Sequence, residues 1–211
     1  MSNPIVIAYH LVFTGYGWWL PNDPRGSMSK SIRHDVLADL GELHYGRKAV
    51  QPASGVIGGF YDRAPDLLKH DLSEFSAREI AEIAASFGGC VASRPYTVYA
   101  CAIMGDHVHL LIRKHRDRAE EMIDRFQSVS RLRLRDLGLR PCDHPIWGGP
   151  GWKVFLDHPD EIPRTIRYIE DNPVKQGLPR QTWEFVKAYD GWPLHEGHSA
   201  NSPYVRRMKG Q

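Results

Sequence analysis

The sequence of 211 residues lacks both a long hydrophobic run and a large charge of one sign. No stretch of about 18 apolar residues occurs and no signal-peptide pattern is present, so we expect neither a membrane protein nor a secreted one. The formal net charge is +2, from 27 Lys and Arg against 25 Asp and Glu. Overall charge therefore does not indicate nucleic-acid binding; only the distribution of the charges could.

Cysteine is also scarce. Cys90, Cys101 and Cys142 are odd in number and lack metal-finger spacing, which favours a reduced, cytoplasmic compartment. With 42% hydrophobic and 25% charged residues, the composition is typical of a globular protein that is long enough to bury a core. We expect one domain over residues 1–196 with an inserted loop region at about 15–73, followed by a flexible tail over 197–211.

Hydrophobic periodicity and turn residues predict four strands and three long helices. A capping box of Ser76 and Glu79 begins the first of these helices, Gly88 and Gly89 end it, and Pro173 ends the last one. Without the insertion the order is βαββαβ plus a terminal helix. This order predicts an α+β, ferredoxin-like fold: an antiparallel sheet with helices on one face and a C-terminal helix. The predicted strands are residues 5–13, 96–104, 107–114 and 152–156, and the helices are 76–87, 118–137 and 159–171.

The stretch from Thr14 to about Ser73 shows no sustained period. A loop of this length in a compact domain favours a functional or inserted element. Trp18, Trp19 and Arg25 either stack on unpaired bases or attach the loop to the body of the protein, and the sequence leaves both open. Within this stretch, residues 50–62 are expected to form a mobile or hairpin-like loop.

A tight turn at Gly105 and Asp106 precedes a strand that carries two histidines. Side chains alternate along a strand, so His107 and His109 share one face while Val108 points to the other. Two imidazoles about 7 Å apart can chelate one divalent ion. They can equally be edge-strand histidines bonded to water or backbone, since His-x-His is a weak pattern. A lone strand histidine such as His10 is more often structural.

The last predicted helix carries a tyrosine outside its apolar stripe. Ile162, Ile166 and Ile169 form the stripe, and Tyr168 lies about 100° away from Ile169 around the helix. Asn172, four residues further on, lies on the same side as Tyr168. The sequence therefore places a phenol and an amide together, away from the centre of the core-packing stripe.

Four motifs in this order resemble those of the HUH single-strand DNA transposases, and most closely those of the REP-associated tyrosine transposases. The resemblance covers about residues 4–13 and 76–180. The chain departs from the family in the long region after Gly15. It also has Gly105 and Asp106 where the family usually has Pro-Asn, which we expect to change only the turn. The motifs are residues 9–13 (YHLVF), 104–112 (MGDHVHLLI), 146–147 (IW) and 168–178 (YIEDNPVKQGL).

The resemblance implies a metal-dependent transposase that cleaves and rejoins single-stranded DNA through a 5′-phosphotyrosine. It makes Tyr168 the nucleophile, His107 and His109 ligands of Mg²⁺ or Mn²⁺, and Asn172 the candidate third ligand. A phenol with a pKa of about 10 is a poor nucleophile at neutral pH, and a divalent ion on the scissile phosphate compensates for this.

Several features stay open at this stage. Asp171 and Glu170 rival Asn172 as the third ligand, and the protein is either a monomer or a homodimer. The substrate implied is single-stranded or hairpin DNA, with the protein in the cytoplasm at the nucleoid and no membrane partner. Rival functions are a metal-dependent phosphodiesterase that uses water and a non-catalytic single-strand nucleic-acid-binding module. The basic residues expected along the DNA backbone are Arg113, Lys114, Arg131, Arg135 and Lys175.

Overall fold

The computed structural model describes residues 5–27, 29–32, 35–46, 48–195 and 197–209. Four strands form one antiparallel sheet in the order β2-β3-β1-β4. This is the ferredoxin-like order, so the predicted α+β class and sheet are confirmed. The strands are β1 (Ala8–Thr14), β2 (Val98–Ile103), β3 (His107–Arg113) and β4 (Trp152–Leu156).

Helices cover both faces of the sheet. Two long helices pack together on one face, and the helix that carries Tyr168 packs on the other. In the described part of the chain, no helix has the length and apolar character needed to cross a membrane. The helices are α1 (Ser54–Arg63), α2 (Ala77–Ser93), α3 (Ala119–Asp136), α4 (Glu161–Lys175) and α5 (Pro203–Met208), and 3₁₀ turns cover Asp35–Leu40 and Pro65–Leu67.

The two faces of the sheet differ in how many alanines they carry. The face that contacts α2 and α3 carries bulky residues such as Phe13 and Leu110 and no alanine from the four described strands. The face that contacts α4 carries Ala8, Ala100 and Ala102 among larger side chains. Because alanine side chains are short, α4 can lie close to the sheet and bring its polar residues near those of the strands.

Two predicted helix ends are wrong. The helix α2 continues through Gly88 and Gly89 to Ser93, because Cys90 beyond them is buried in the core. The burial of Cys90 outweighs the cost of about 1 kcal/mol that each glycine adds in a helix relative to alanine. The helix α4 continues through Pro173 to Lys175. This proline is buried in the last turn of α4. Its missing N–H costs one hydrogen bond of the helix, and this loss is tolerated because the helix ends two residues later.

The inserted region has a small core of its own. The prediction of a mobile or hairpin-like loop over residues 50–62 is wrong, because α1 begins at Ser54 and ends at Arg63. Gly55, Gly58 and Gly59 hide this helix from sequence patterns, since glycine is a weak helix former. Tertiary burial stabilises it instead. The residues of this core are Leu20, Leu37, Leu40, Phe60 and Ala64.

The C-terminal segment also packs against the body of the protein. In the stretch predicted to be a flexible tail, α5 forms and buries Tyr204 in the cluster that contains Ile162 and Ile169. Glu196, at the predicted domain boundary, and residues 210 and 211 lie outside the described residues. The division into one domain and a tail stays a prediction.

The predicted capping box is present at the start of α2. The Glu79 carboxylate accepts hydrogen bonds from the Ser76 N–H at 2.9 Å, from the Ser76 hydroxyl at 2.8 Å and from Arg140. Burial opposes the charge of Glu79. The hydrogen bonds from Arg140 and Ser76 outweigh it and hold the pKa of Glu79 below its ordinary value.

We expect Glu79→Gln to lower the free energy of unfolding by about 2 kcal/mol at pH 7, because a charged acceptor of three hydrogen bonds is lost. A carboxyl group with a depressed pKa in the folded state stabilises above its unfolded pKa and loses this effect as the pH falls through its folded pKa. The difference between the two proteins should therefore shrink in urea titrations below about pH 4. Glu82→Gln, which breaks only the exposed pair with Arg133, should cost less than about 0.5 kcal/mol. An equal loss of unfolding free energy in Glu79→Gln at pH 7 and below about pH 4 would contradict this account.

Candidate active site

The strand β3 begins with two histidines on the face that α4 covers. His107 pairs with Thr14, and His109 with Val12, in the register with β1. The two imidazole centroids lie 4.8 Å apart, and both side chains are buried. Val108 between them belongs to the core on the opposite face, as alternation predicts. Adjacent positions on one face therefore bring the two rings together.

Each of these rings has its Nδ1 atom engaged by a neighbour. Nδ1 of His107 lies 2.5 Å from Oδ1 of Asp106, and Nδ1 of His109 lies 2.9 Å from Nε2 of His10. A partner on Nδ1 orients an imidazole and leaves Nε2 as the ligand atom. Asp106 therefore does more than form the turn, contrary to the prediction, because its carboxylate reaches the next side chain.

The electrostatic environment keeps two of the three imidazoles neutral near pH 7. Burial lowers the pKa of His10 to about 4. Burial, followed by the charges of His107 and His10, lowers the pKa of His109 well below its ordinary value. Burial opposes the charge of Asp106, but the hydrogen bond and charge of His107 outweigh it and keep the pKa of Asp106 low. Neutral imidazole is the form that binds metal ions.

The helix α4 places Tyr168 beside His109 and His10. Its ring centroid lies 5.6 Å from that of His109 and 5.9 Å from that of His10, both edge to face. The tyrosine is 44% exposed, so a ligand can reach its phenol. The amide nitrogen of Asn172 donates a hydrogen bond to the Tyr168 carbonyl at 3.0 Å, and Nζ of Lys175 lies 5.3 Å from the Tyr168 ring centroid.

The two rivals of Asn172 have another partner. Arg180 lies 3.2 Å from the Glu170 carboxylate and 2.8 Å from the Asp171 carboxylate. Asn172 lines the cavity beside Tyr168, whereas Glu170 and Asp171 do not. The structure therefore places Asn172 in the cavity that His107 and His109 also line, and its role as a ligand stays a prediction.

One cavity of about 540 Å³ is lined by the three histidines, Tyr168 and Asn172. The glycine-rich segment 148–151 forms part of its wall and passes close to β1, since a Cβ at Gly151 would lie 2.7 Å from the Val12 carbonyl oxygen. Arg164 and His10 are two of the lining residues that were not predicted from the sequence to be site residues. Arg164 lies one helical turn before Tyr168, a spacing that could have found it. His10 shows no such signal, because only the pairing of β1 with β3 brings it there.

The donor atoms that line the cavity are of types that Mg²⁺ and Mn²⁺ accept. Among the described residues, no group of three His, Cys, Asp or Glu side chains is arranged as a metal site. The donors available here are two imidazole nitrogens, from His107 and His109, and the amide oxygen of Asn172. Such a mixed set suits Mn²⁺ at least as well as Mg²⁺, and it leaves coordination positions for water and phosphate oxygens.

Of the basic residues expected along DNA, only Lys175 lies near this cavity. Arg113 is at the far end of β3, about 20 Å from His107 along the strand. Its guanidinium lies 3.5 Å from the Trp192 ring centroid and 3.9 Å from Asp190.

The remaining three basic residues also have partners elsewhere. Nζ of Lys114 donates to the Tyr9 hydroxyl at the end of β3. Arg131 and Arg135 lie on α3, across the sheet from Tyr168, and donate to the Ser128 hydroxyl at 3.3 Å and to the His144 carbonyl at 3.2 Å. The structure does not bring these residues to the cavity, and contact with DNA stays a prediction for each of them.

Two of the solved structures that are similar to this chain are described as transposases. One is a REP-associated tyrosine transposase bound to a REP hairpin, with a TM-score of 0.44, 12% identity, and coverage of 85% of this chain and 74% of that chain. The other is a candidate transposase from Deinococcus radiodurans R1, with a TM-score of 0.33, 15% identity, and coverage of 81% and 94%. No protein-family model and no curated protein matches the sequence. These likenesses do not by themselves assign a function to the chain.

Proposed function

We propose that this chain cleaves and rejoins single-stranded DNA, with Tyr168 as the nucleophile and a divalent ion held by His107 and His109. The observation that supports this most strongly is the meeting of an exposed phenol from α4 and two oriented imidazoles from β3 in one cavity. The phenol and the imidazoles belong to the same chain, so we propose that Tyr168 acts in cis. Because the substrate is DNA, we place this activity at the nucleoid.

The reaction is a transesterification at phosphorus. The Tyr168 oxygen attacks a phosphodiester, so the bond from this oxygen to phosphorus forms and the bond from phosphorus to the 3′ oxygen breaks. The phenol proton is balanced by the proton that the 3′ oxygen gains. The products are a 5′-phosphotyrosine and a free 3′-hydroxyl. Since the number of phosphoester bonds is unchanged, attack by another 3′-hydroxyl rejoins the strand without ATP.

The residues around the phenol have separate tasks. Packing of α4 on the alanine-rich face of the sheet positions Tyr168, and His107 and His109 offer Nε2 atoms to the ion. When bound, the ion polarises the scissile phosphate and neutralises the charge that develops on it. Arg164 and Lys175 offer further positive charge to the phosphates of the strand.

The experiment is a search for the covalent product. The chain is mixed with a pool of random single-stranded oligonucleotides labelled at the 3′ end, because the fragment held by Tyr168 keeps that end. After addition of Mn²⁺ and denaturation, we expect a labelled protein band, with the DNA remnant on residue 168 by mass spectrometry. Cleavage without an adduct would instead indicate a phosphodiesterase that uses water. Binding without cleavage would indicate a non-catalytic binding module.

The hydrogen bond between Nε2 of His10 and Nδ1 of His109 leads to a separate prediction. We expect His10→Ala to weaken Mn²⁺ binding about 10- to 100-fold, because Nδ1 of His109 loses the partner that orients its ring. Titration calorimetry without DNA measures this directly. His10→Gln keeps a hydrogen-bonding group and should recover part of the affinity, whereas His158→Ala, on an exposed loop, should change nothing. Unchanged Mn²⁺ affinity in His10→Ala would refute the orienting role.

A further inference from the structure

Trp19 is an exposed indole on the wall of the cavity. The residue is 37% exposed, and its ring centroid lies 6.5 Å from that of His107 at an interplanar angle of 74°. Its backbone has a φ of +57°, a conformation that bulky residues rarely adopt. Strained residues of this kind persist only where the surrounding structure holds them, and they concentrate at functional sites. The proposed chemistry makes no use of this residue.

A hydrogen-bond network holds Trp19 in this conformation. The Tyr61 hydroxyl on α1 accepts hydrogen bonds from the Trp19 N–H at 2.8 Å and from Arg25 at 2.9 Å, and it donates to Asp23. Burial, followed by the charge of Asp23, raises the pKa of Tyr61 and keeps this donor protonated. Nε1 of Trp19 donates to the Gly26 carbonyl at 3.1 Å. Hydrogen bonds therefore hold both the backbone and the ring of Trp19 in place.

Arg25 supports the indole. Its guanidinium carbon lies 3.8 Å from the Trp19 ring centroid, and its Nη2 atom lies 2.7 Å from the fully buried Asp23 carboxylate. The cation contacts the ring, and the partly exposed Trp19 lines the cavity. An exposed aromatic ring that its neighbours hold in place is a preformed stacking surface.

The neighbouring Trp18 has a different role. Its Nε1 donates to the Ser73 carbonyl at 3.0 Å, and its ring packs against Tyr61 with centroids 4.7 Å apart. Trp18 therefore attaches the inserted region to the rest of the protein. For Trp18 the structure therefore favours attachment of the loop over stacking on bases.

We propose that Trp19 is the stacking platform for an unpaired nucleobase of the bound strand, next to the phosphate that Tyr168 attacks. The choice of ligand rests on the proposed function. The position beside His107 puts such a base adjacent to the reacting phosphate. The cavity of about 540 Å³ lies within the range of about 300–1,000 Å³ that holds small ligands. Stacking of one base on an aromatic side chain is worth about 5- to 150-fold in affinity and depends little on sequence.

The test compares a strand that has bases with one that does not. The full chain carrying Tyr168→Phe, which prevents chemistry, is titrated with fluorescent octathymidylate and with an abasic octamer of the same phosphate number. We expect octathymidylate to bind at least about fivefold more tightly. Trp19→Ala should reduce this preference to less than about twofold with little change in affinity for the abasic octamer, and Trp19→Phe should retain part of it.

Trp19→Gly separates a lost platform from a damaged fold. Glycine adopts a φ of +57° without strain, so this variant should keep its thermal unfolding temperature and still lose the preference for bases. Trp18→Phe keeps a ring against Tyr61 and should retain the preference. A preference that survives in folded Trp19→Gly, or is absent from the parent, overturns the proposal. Adduct formation by the chain with Tyr168 intact tests the proposed function separately. Base preference without an adduct would therefore support the platform alone, and an adduct without base preference would reject only the platform.

Discussion

Replacement of Tyr168 by phenylalanine is expected to abolish the protein–DNA adduct and to reduce strand cleavage at least about 1,000-fold. Phenylalanine keeps the ring that contacts His109 and His10 edge to face and removes only the oxygen that would bond to phosphorus. The effect should therefore lie in the chemical step. It is measured as the yield of labelled protein on a denaturing gel, and affinity for the same oligonucleotide without a divalent ion should change less than about twofold.

Tyr189→Phe is the matched control for this experiment. Tyr189 also packs on the α4 side of the sheet, but its hydroxyl donates to the Trp192 carbonyl at 2.6 Å and does not line the cavity. We expect full adduct yield from this variant. An undiminished adduct in Tyr168→Phe would show that another residue is the nucleophile, and loss of the adduct in both variants would point to a general effect on the fold.

The second large effect is expected at the paired histidines. His109→Ala should lower the adduct yield at least about 100-fold at limiting Mn²⁺, because it removes one of the two imidazoles that we propose hold the ion that activates the phosphate. Removal of divalent ions by a chelator should have the same effect on the unchanged protein. Since the lost donor weakens binding of the ion, excess Mn²⁺ should restore part of the activity of His109→Ala.

Two comparisons make this result specific. His158→Ala removes an exposed histidine whose ring lies 3.5 Å from the Asp160 carboxylate, and it should leave the Mn²⁺ dependence unchanged. His107→Ala should behave like His109→Ala, since the two rings lie 4.8 Å apart. An adduct yield that does not respond to the chelator would exclude a role for the ion. A His109→Ala protein with the Mn²⁺ dependence of the unchanged protein would exclude His109 as its ligand.

Much of the candidate site follows from local periodicity. The alternation along β3 puts His107 and His109 on one face, and the 3.6-residue repeat of α4 puts Tyr168 and Asn172 on one side. Both patterns depend only on neighbours in the sequence, so they can be predicted without knowledge of the fold. The capping box at Ser76 is equally local, and the structure confirms it.

Other features depend on residues distant in the sequence, and the sequence alone missed them. His10 reaches His109, 99 residues away, only through the β1–β3 register. Arg180 contacts the carboxylates of Glu170 and Asp171, and helical spacing does not predict this contact because Arg180 lies beyond the end of α4. The helical state of residues 54–63 depends on burial of Phe60 against the rest of the insertion.

The sequence by itself determined the order of the four strands and the three long helices, the side of those elements on which the polar residues lie, and the family that its motifs resemble. Only the tertiary structure decided that α4 lies on the alanine-rich face, that Trp19 and Arg25 join the wall beside His107, and that most of the expected DNA-contacting cations lie elsewhere. The physical reason is the range of the interactions. Periodicity and capping act over a few residues, whereas strand register and side-chain burial join segments that only folding brings together.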